Sequence, residues 1–404
     1  MESKSSNANS SVLALNGLRY KAPQPLSTSI LRTAKKQYAQ RQQYEAGDTI
    51  VFHINSTGFV DPEQSFLKFG IQAVGFEAGF GGFGSAMNVI RNVRISSKNG
   101  TELDRIQSAN EYSVYRTNYS IDKDELVANE PLTGFGTGTT GVVTTRAETF
   151  CIPLSWVSGL FRPHVKGQLM PPHLISGARI ELELETFSRA LHSAGATTGY
   201  TITNPQIVFM ESTLNDNSLK VLTEESAQNG LEYTYDRVFT IIEANTTGAV
   251  SQQINKAVSQ ATSVFTAVHI TDDQNKIDKD SFLSSNGVLT LTSYLYRLGS
   301  NYFPHQVVNE LKEAYILSRS AFKNDLSGAV STVSFDNWAL QGLFQVGTSL
   351  KTHHDISSSG LAVNNSAAVE VQFDSLNAAP RTFYIFMTYT ALARAFLQQV
   401  AVKM

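Results

Sequence analysis

Residues 46–74 read AGDTIVFHINSTGFVDPEQSFLKFGIQAV, and the alternation in this stretch decides the fold class. Ile50, Phe52 and Ile54 alternate with Val51, His53 and Asn55. After a break at Gly58, Asp61 and Pro62, Leu67, Phe69, Ile71 and Ala73 alternate with Phe66, Lys68, Gly70 and Gln72. A period of two is the pattern of strands buried on one face. Two strands separated by a turn-rich link therefore open the folded part, and the residues before Ala46 lack the composition of a core.

The same grammar of short strand, polar loop and short strand continues downstream. Asn99-Gly100 suits a type I′ hairpin turn between two short strands, and Ile106 to Tyr119 suits a short helix. A Gly/Thr-rich loop over Val127 to Thr145 precedes strands at Thr149 to Leu154, Ala178 to Glu185 (ARIELELE) and Gln206 to Thr213 (QIVFMEST). Leu214 to Gly230, rich in Asn, Asp, Ser and Glu, reads as a linker, after which strands resume at Leu231 to Ile242, Ser263 to Ile270 and Val288 to Leu298. Val308 to Phe322 carries the strongest helical spacing in the chain. AVEVQF (Ala368 to Phe373) and FYIFMTYTAL (Phe383 to Leu392) then echo ARIELELE and QIVFMEST in order, type and spacing. A second echo pairs Trp156-Val-Ser-Gly-Leu-Phe161 with Trp338-Ala-Leu-Gln-Gly-Leu-Phe344, 182 residues apart, which suggests two copies of one β domain. The expected organisation is an N-terminal arm at 1–43, β domains at 44–213 and 231–404, and a linker at 214–230.

Of the 404 residues, 42% are hydrophobic and only 17% charged, against about 25% charged in an average soluble protein. Such a composition suits a surface much of which meets other proteins. Lys4, Arg19, Lys21, Arg32, Lys35, Lys36 and Arg41 stand against the single acid Glu2 in the first 43 residues, so a chain of net charge −3 carries +6 on this arm and −9 on the rest. The whole surface is not that of a nucleic-acid binder, but the arm is suited to phosphate. Cys151 is the sole cysteine, which excludes an intrachain disulfide and a thiolate cluster. No apolar run suits a signal peptide or a helical membrane span, and the expectation is a chain made in the cytoplasm and not secreted.

Chemistry is sparsely signalled. Gly79, Gly81 and Gly84 spell G-x-G-x-x-G, with Glu102 and Asp104 downstream. A dinucleotide site needs a long helix starting at the third glycine, and Ser85 to Ile90 is too short, so a flexible surface loop is expected. His353-His354-Asp355, the one tight His/acid cluster, lies in a Ser/Gly-rich stretch and reads as a polar loop, as do His164 and His173 around a proline-rich break. The oxygen-rich set Asp272, Asp273, Asn275, Asp278 and Asp280 misses the EF-hand spacing and its glycine, and Cys151 reads as a small buried hydrophobe. No catalytic, metal or cofactor site is expected, and the protein reads as a non-enzyme.

VDPEQSFLKF (Val60 to Phe69), the hairpin from Ser85 to Ile106 and the CIPLSWVSGLF, LMPPHLI and ARIELELE segments together resemble the major capsid proteins of the double jelly-roll virus lineage, an adenovirus-like lineage, and most of all those of virophages and polinton-like viruses. The resemblance covers about residues 30–400. It implies an all-β fold of two tandem eight-stranded antiparallel jelly rolls with a few short helices. It further implies a homotrimer forming a pseudo-hexagonal capsomer of an icosahedral virion. Neighbouring capsomers, penton and minor capsid proteins would be partners, and genome DNA or an internal membrane would meet the basic arm. Arg19, Lys21, Arg32, Lys35, Lys36 and Arg41 are the expected inner-face contacts. The competing reading is a carbohydrate-binding or carbohydrate-active β-sandwich, which needs aromatic platforms on a concave face.

Overall fold

The structure is a computed structural model that describes residues 29–81, 83–135, 142–143, 148–193, 195–246, 249–282, 291–298, 301–322, 333–339, 342–351, 360–363, 367–373, 380–396 and 400–403. The first half supplies β1 (Ser29–Tyr38), β2 (Thr49–His53), β3 (Phe59–Val74), β4 (Ile90–Ser96), β5 (Glu102–Ile106), β6 (Glu148–Pro153), β7 (Arg179–Leu184) and β8 (Gly199–Leu214). They form two antiparallel sheets in the orders β1-β8-β3-β6 and β2-β7-β4-β5. The second half supplies β9 (Leu231–Thr246), β10 (Ala249–Ile254), β11 (Val258–Ile270), β12 (Leu291–Leu298), β13 (Asn301–Val308), β14 (Gln345–Ser349), β15 (Ala367–Phe373) and β16 (Arg381–Ala395). Their orders are β9-β16-β11-β14 and β10-β15-β12-β13. Counted within its own half, each pair of sheets runs 1-8-3-6 and 2-7-4-5, the winding of two Greek keys that makes a jelly roll. Short strands at Gln43–Glu45, Leu361–Val363 and Val400–Lys403 extend three of these strands sideways.

The alternation read in the sequence is the packing code of each sandwich. Ile180 of β7 lies between Phe52 and Ile95, and Leu182 between Ile50 and Val93, all of them buried. Each such side chain contributes about 1.5–3 kcal/mol of burial. The Asp61-Pro62 break does not separate two strands. It lies inside β3, where the register against β8 jumps from Phe66↔Val208 to Asp61↔Met210. Pro62, which has no N–H to donate, falls within this bulge. The Ser65 hydroxyl stands in for the missing ladder, accepting from Met210 N and donating to Asp61 O.

Three expectations are corrected and one, the linker at 214–230, gains a structure. First, β1 lies inside the segment read as an arm: Leu31 to Tyr38 pair with Thr213 to Gln206 of β8, so the first roll starts at Ser29. Second, the segment between the rolls is a helix, Asp216–Gln228. Asn215 caps it through its side chain, accepting from Ser218 N at 2.8 Å, and Gly230 follows at φ +76°. Third, the two tryptophans are not equivalent. Trp156 lies on Leu154–Val157, just after the sixth strand of its roll, whereas Trp338 lies on Phe335–Ala339, just before the sixth strand of the other. Fourth, of Asn99 and Gly100 only Gly100 has a positive φ (+80°), and Ser97 N bonds Thr101 O at 2.8 Å. That is a three-residue loop with glycine in the left-handed position, not a type I′ turn.

Candidate functional site

The basic residues expected to face a partner divide into two groups. Arg19 and Lys21 lie outside the described residues. Arg32, Lys35 and Lys36 stand on β1, and Arg41 follows it. Arg32 is paired with Asp61, Lys35 with Glu211 at 3.8 Å and Arg41 with Asp48 at 3.0 Å, the Arg41 guanidinium also covering the Tyr44 ring. Three of the four described cations are thus satisfied within the roll, and Lys36 is exposed.

Among the described residues, a concentration of buried charge and aromatic surface lies elsewhere, where the two rolls meet. The helix after β5, Ala109–Ser120 (α1), buries ten of its residues, Glu111 and Asn118 among them. A helix buried on nearly all sides must be core to two bodies at once. Toward its own roll, Asn110 donates to Glu185 at 3.0 Å and Asn118 to Phe83 O at 3.0 Å. Toward the other, the Tyr112 ring packs on Phe265 and Phe386, and Tyr119 stacks on Phe322 with centroids 4.9 Å apart. The Tyr119 hydroxyl donates to Leu343 O at 2.8 Å. This explains why β16 is buried along nearly its whole length: one face closes its own sandwich and the other meets α1.

At the polar end of α1, Glu111 is fully buried and holds Arg189 at 3.3 Å and His269 Nε2 through its two carboxylate oxygens. Arg189 also reaches Glu185 at 3.4 Å and lies over the Tyr384 ring, 5.2 Å from its centroid. Burial works against the Arg189 charge, but Tyr384, Glu111 and Glu185 outweigh it and raise its pKa. Along β9 runs a second set of bonds. Tyr233 donates to Leu160 O at 2.8 Å, Arg237 reaches Glu102 at 3.1 Å and Asp104 at 3.7 Å, and His164 meets Asp236 at 2.9 Å. Burial raises the Asp104 pKa despite its bonds to Ser158 and Arg237. For Asp236, burial is outweighed by the His164 hydrogen bond and the neighbouring cations, and its pKa is lowered. Charges held this way fix one body against another rather than present a reactive group.

No protein-family model matches the chain, and no curated protein matches its sequence. Solved structures do match it along almost its full length. The PBCV-1 virus capsid chain has a TM-score of 0.67 at 10% identity, covering 95% of this chain and 99% of that one. The Faustovirus major capsid protein gives 0.66 at 9%, covering 94% and 92%. The mavirus major capsid protein gives 0.57 at 11%, covering 100% and 95%.

The chain is a double jelly roll.

In this double jelly roll the described residues of Gly79–Gly84 are packed against the body rather than forming a surface loop. Gly79 bridges to His192, and Gly81 is buried at φ +85°, where an added Cβ would lie 2.3 Å from the Asp280 carboxylate of the second roll. Gly81 serves close approach of the rolls, whereas Gly84 makes room for Asn88 and Phe80 O of its own roll, and Ser193 N donates to Ile277 O nearby at 2.7 Å. Gly81→Ala is therefore expected to destabilise the protein by about 1–3 kcal/mol, read as a lowered urea midpoint. An unchanged midpoint would return the segment to a loop.

The other candidates are placed as follows. His353, His354 and Asp355 lie outside the described residues. His173 sits on Pro172–Ile175 with its pKa lowered by burial, remote in role from His164, which is bound to Asp236. Among the described residues no three His, Cys, Asp or Glu side chains are grouped to hold a metal ion. Cys151 is half-buried rather than buried, opposite Lys68 on β3, and desolvation raises its thiol pKa. Many of the aromatics are core residues rather than a carbohydrate platform: Tyr44, Tyr115, Tyr200, Tyr235, Tyr294 and Tyr296 are fully buried, while Tyr38, Phe76 and Tyr302 are exposed on separate segments. No described helix is long and apolar enough to cross a membrane.

Proposed function

We propose that this protein is a major capsid protein, a non-enzymatic subunit whose homotrimers are pseudo-hexagonal capsomers of an icosahedral shell. The observation that carries the reading is the repetition of one strand order in two rolls joined by a buried, charge-locked seam. Three copies of a rigid tandem pair offer six similar edges, the number needed to tile a curved sheet with hexagons. The likeness to solved capsid proteins of Faustovirus and mavirus supports it. So do the apolar side chains left on the flank of the second roll, Tyr302 and Val307 on β13 with Leu311 and Ile316 on the following helix, Leu311–Ser320. Such side chains mark surfaces that other chains cover.

Neighbouring capsomers, pentons and minor capsid proteins would meet the outer edges of the trimer in the virion. Genome DNA or an internal membrane would meet the N-terminal residues. Since Arg32, Lys35 and Arg41 are engaged within the roll, that contact would fall to Lys4, Arg19, Lys21 and Lys36. Size-exclusion chromatography with light scattering is expected to give three times the chain mass of 44.2 kDa, with hexagonal outlines in electron micrographs. A monomer at micromolar concentration overturns the proposal.

A further inference from the structure

The helix between the rolls, Asp216–Gln228, is amphipathic yet poorly covered: of its described side chains only Ser226 is buried, while Leu219 and Val221 are 45% and 64% exposed. At its foot lies a groove of about 670 Å³ lined by Phe59, Leu169, Pro171, Leu214, Val221 and Leu222, with Glu232 at its rim. Both rolls contribute, since Phe59 begins β3 and Leu231 and Glu232 begin β9. A helix that leaves its apolar side in water is short of a partner.

The chain's own path names one. β1 enters the first sheet at Ser29, whose register partner is Leu214, a wall of the groove. The preceding 28 residues therefore start within one strand spacing of it. Within them lies a single aliphatic run, Val12-Leu13-Ala14-Leu15-Asn16-Gly17-Leu18, followed by Arg19 and Lys21. The ten residues between Leu18 and Ser29 reach up to about 33–36 Å when extended, and the 13-residue inter-roll helix is only about 20 Å long, so the run reaches every part of the groove.

We propose that this groove is the seat of residues Val12 to Leu18 of the same chain. The docked segment closes the apolar side of the inter-roll helix and ties both rolls to the N-terminus. This inference is independent of the capsid reading, because it concerns one chain with itself.

Leu15→Cys combined with Val221→Cys, in a chain carrying Cys151→Ser, is expected to give under mild oxidation a disulfide within one chain, identified by peptide mass mapping. Cross-linking between chains on a non-reducing denaturing gel would assign the segment to a second copy and overturn the proposal. So would equal cross-linking of Leu15→Cys with Ile316→Cys, which is exposed on the remote helix Leu311–Ser320. Deletion of Met1 to Tyr20 is expected to speed amide exchange in residues 216–228 by about tenfold or more. Val221→Glu in the full chain should do the same, and as an exposed position it leaves the fold intact. Unchanged exchange in both variants overturns the proposal.

Discussion

Glu111→Ala is expected to lower the stability of the double jelly roll by about 3–5 kcal/mol and to split its unfolding into two steps. The carboxylate is fully buried and shared between Arg189 and His269, so its removal leaves the buried His269 Nε2 without this partner and Arg189 with one carboxylate fewer. Breaking a buried pair by deleting one partner costs that much because the other stays behind desolvated. Arg189 keeps Glu185 at 3.4 Å and the Tyr384 ring, which holds the loss within this range. Since Arg189 belongs to the first roll and His269 to the second, the loss weakens the seam more than either sandwich. The rolls should then unfold at separate urea concentrations, followed by tryptophan fluorescence, with Trp156 and Trp338 reporting one roll each. Glu111→Gln keeps the shape and part of the hydrogen bonding and should lose about 1–3 kcal/mol. A single transition for Glu111→Ala within about 0.5 kcal/mol of the parent would show that the aromatic contacts of α1 hold the rolls without the ions.

What could be read from sequence follows from what each element is held by. ARIELELE and QIVFMEST, with AVEVQF and the FYIFMTYTAL run, are the seventh and eighth strands of their rolls, and each was legible because a strand buried on a sandwich face must alternate or, like β16, run apolar throughout. β1 was not. SILRTAKKQY places Arg32, Lys35 and Lys36 in a strand whose chief support is its ladder to β8, and a ladder leaves no side-chain pattern. Charged residues on an edge strand are in fact how sheets avoid pairing with strangers. The inter-roll helix carried a legible signal, Asn215 as cap and Gly230 as stop, which its polar composition masked. α1 was found as a helix but not as the centre of the molecule, because Glu111, Arg189 and His269 lie 78 and 158 residues apart and meet only through the fold.

The position of β1 sets a sharp contrast between two truncations. Deleting Met1 to Gln43 is expected to abolish soluble folding, whereas deleting only Met1 to Thr28 should leave both rolls and the trimer intact. The longer deletion strips the outer strand from β1-β8-β3-β6 and bares the edge of β8 from Gln206 to Leu214. An open edge of that length is a template for aggregation. It also removes the Gln37 side chain, which accepts from Asn55 N and donates to Asn55 O and so ties β1 to the chain after β2. Glu211, nearly buried, would lose Lys35, and Asp61 would lose Arg32. With single domains stable by only about 5–15 kcal/mol, nine lost strand pairings at about 0.5–1.5 kcal/mol each reach that whole margin. The measurement is the soluble fraction after expression, with light scattering of what remains. If the chain starting at Tyr44 stays soluble and forms the same trimer, β1 is an accessory strap and the first roll closes with seven strands. If the chain starting at Ser29 already fails, the segment before β1 is part of the fold.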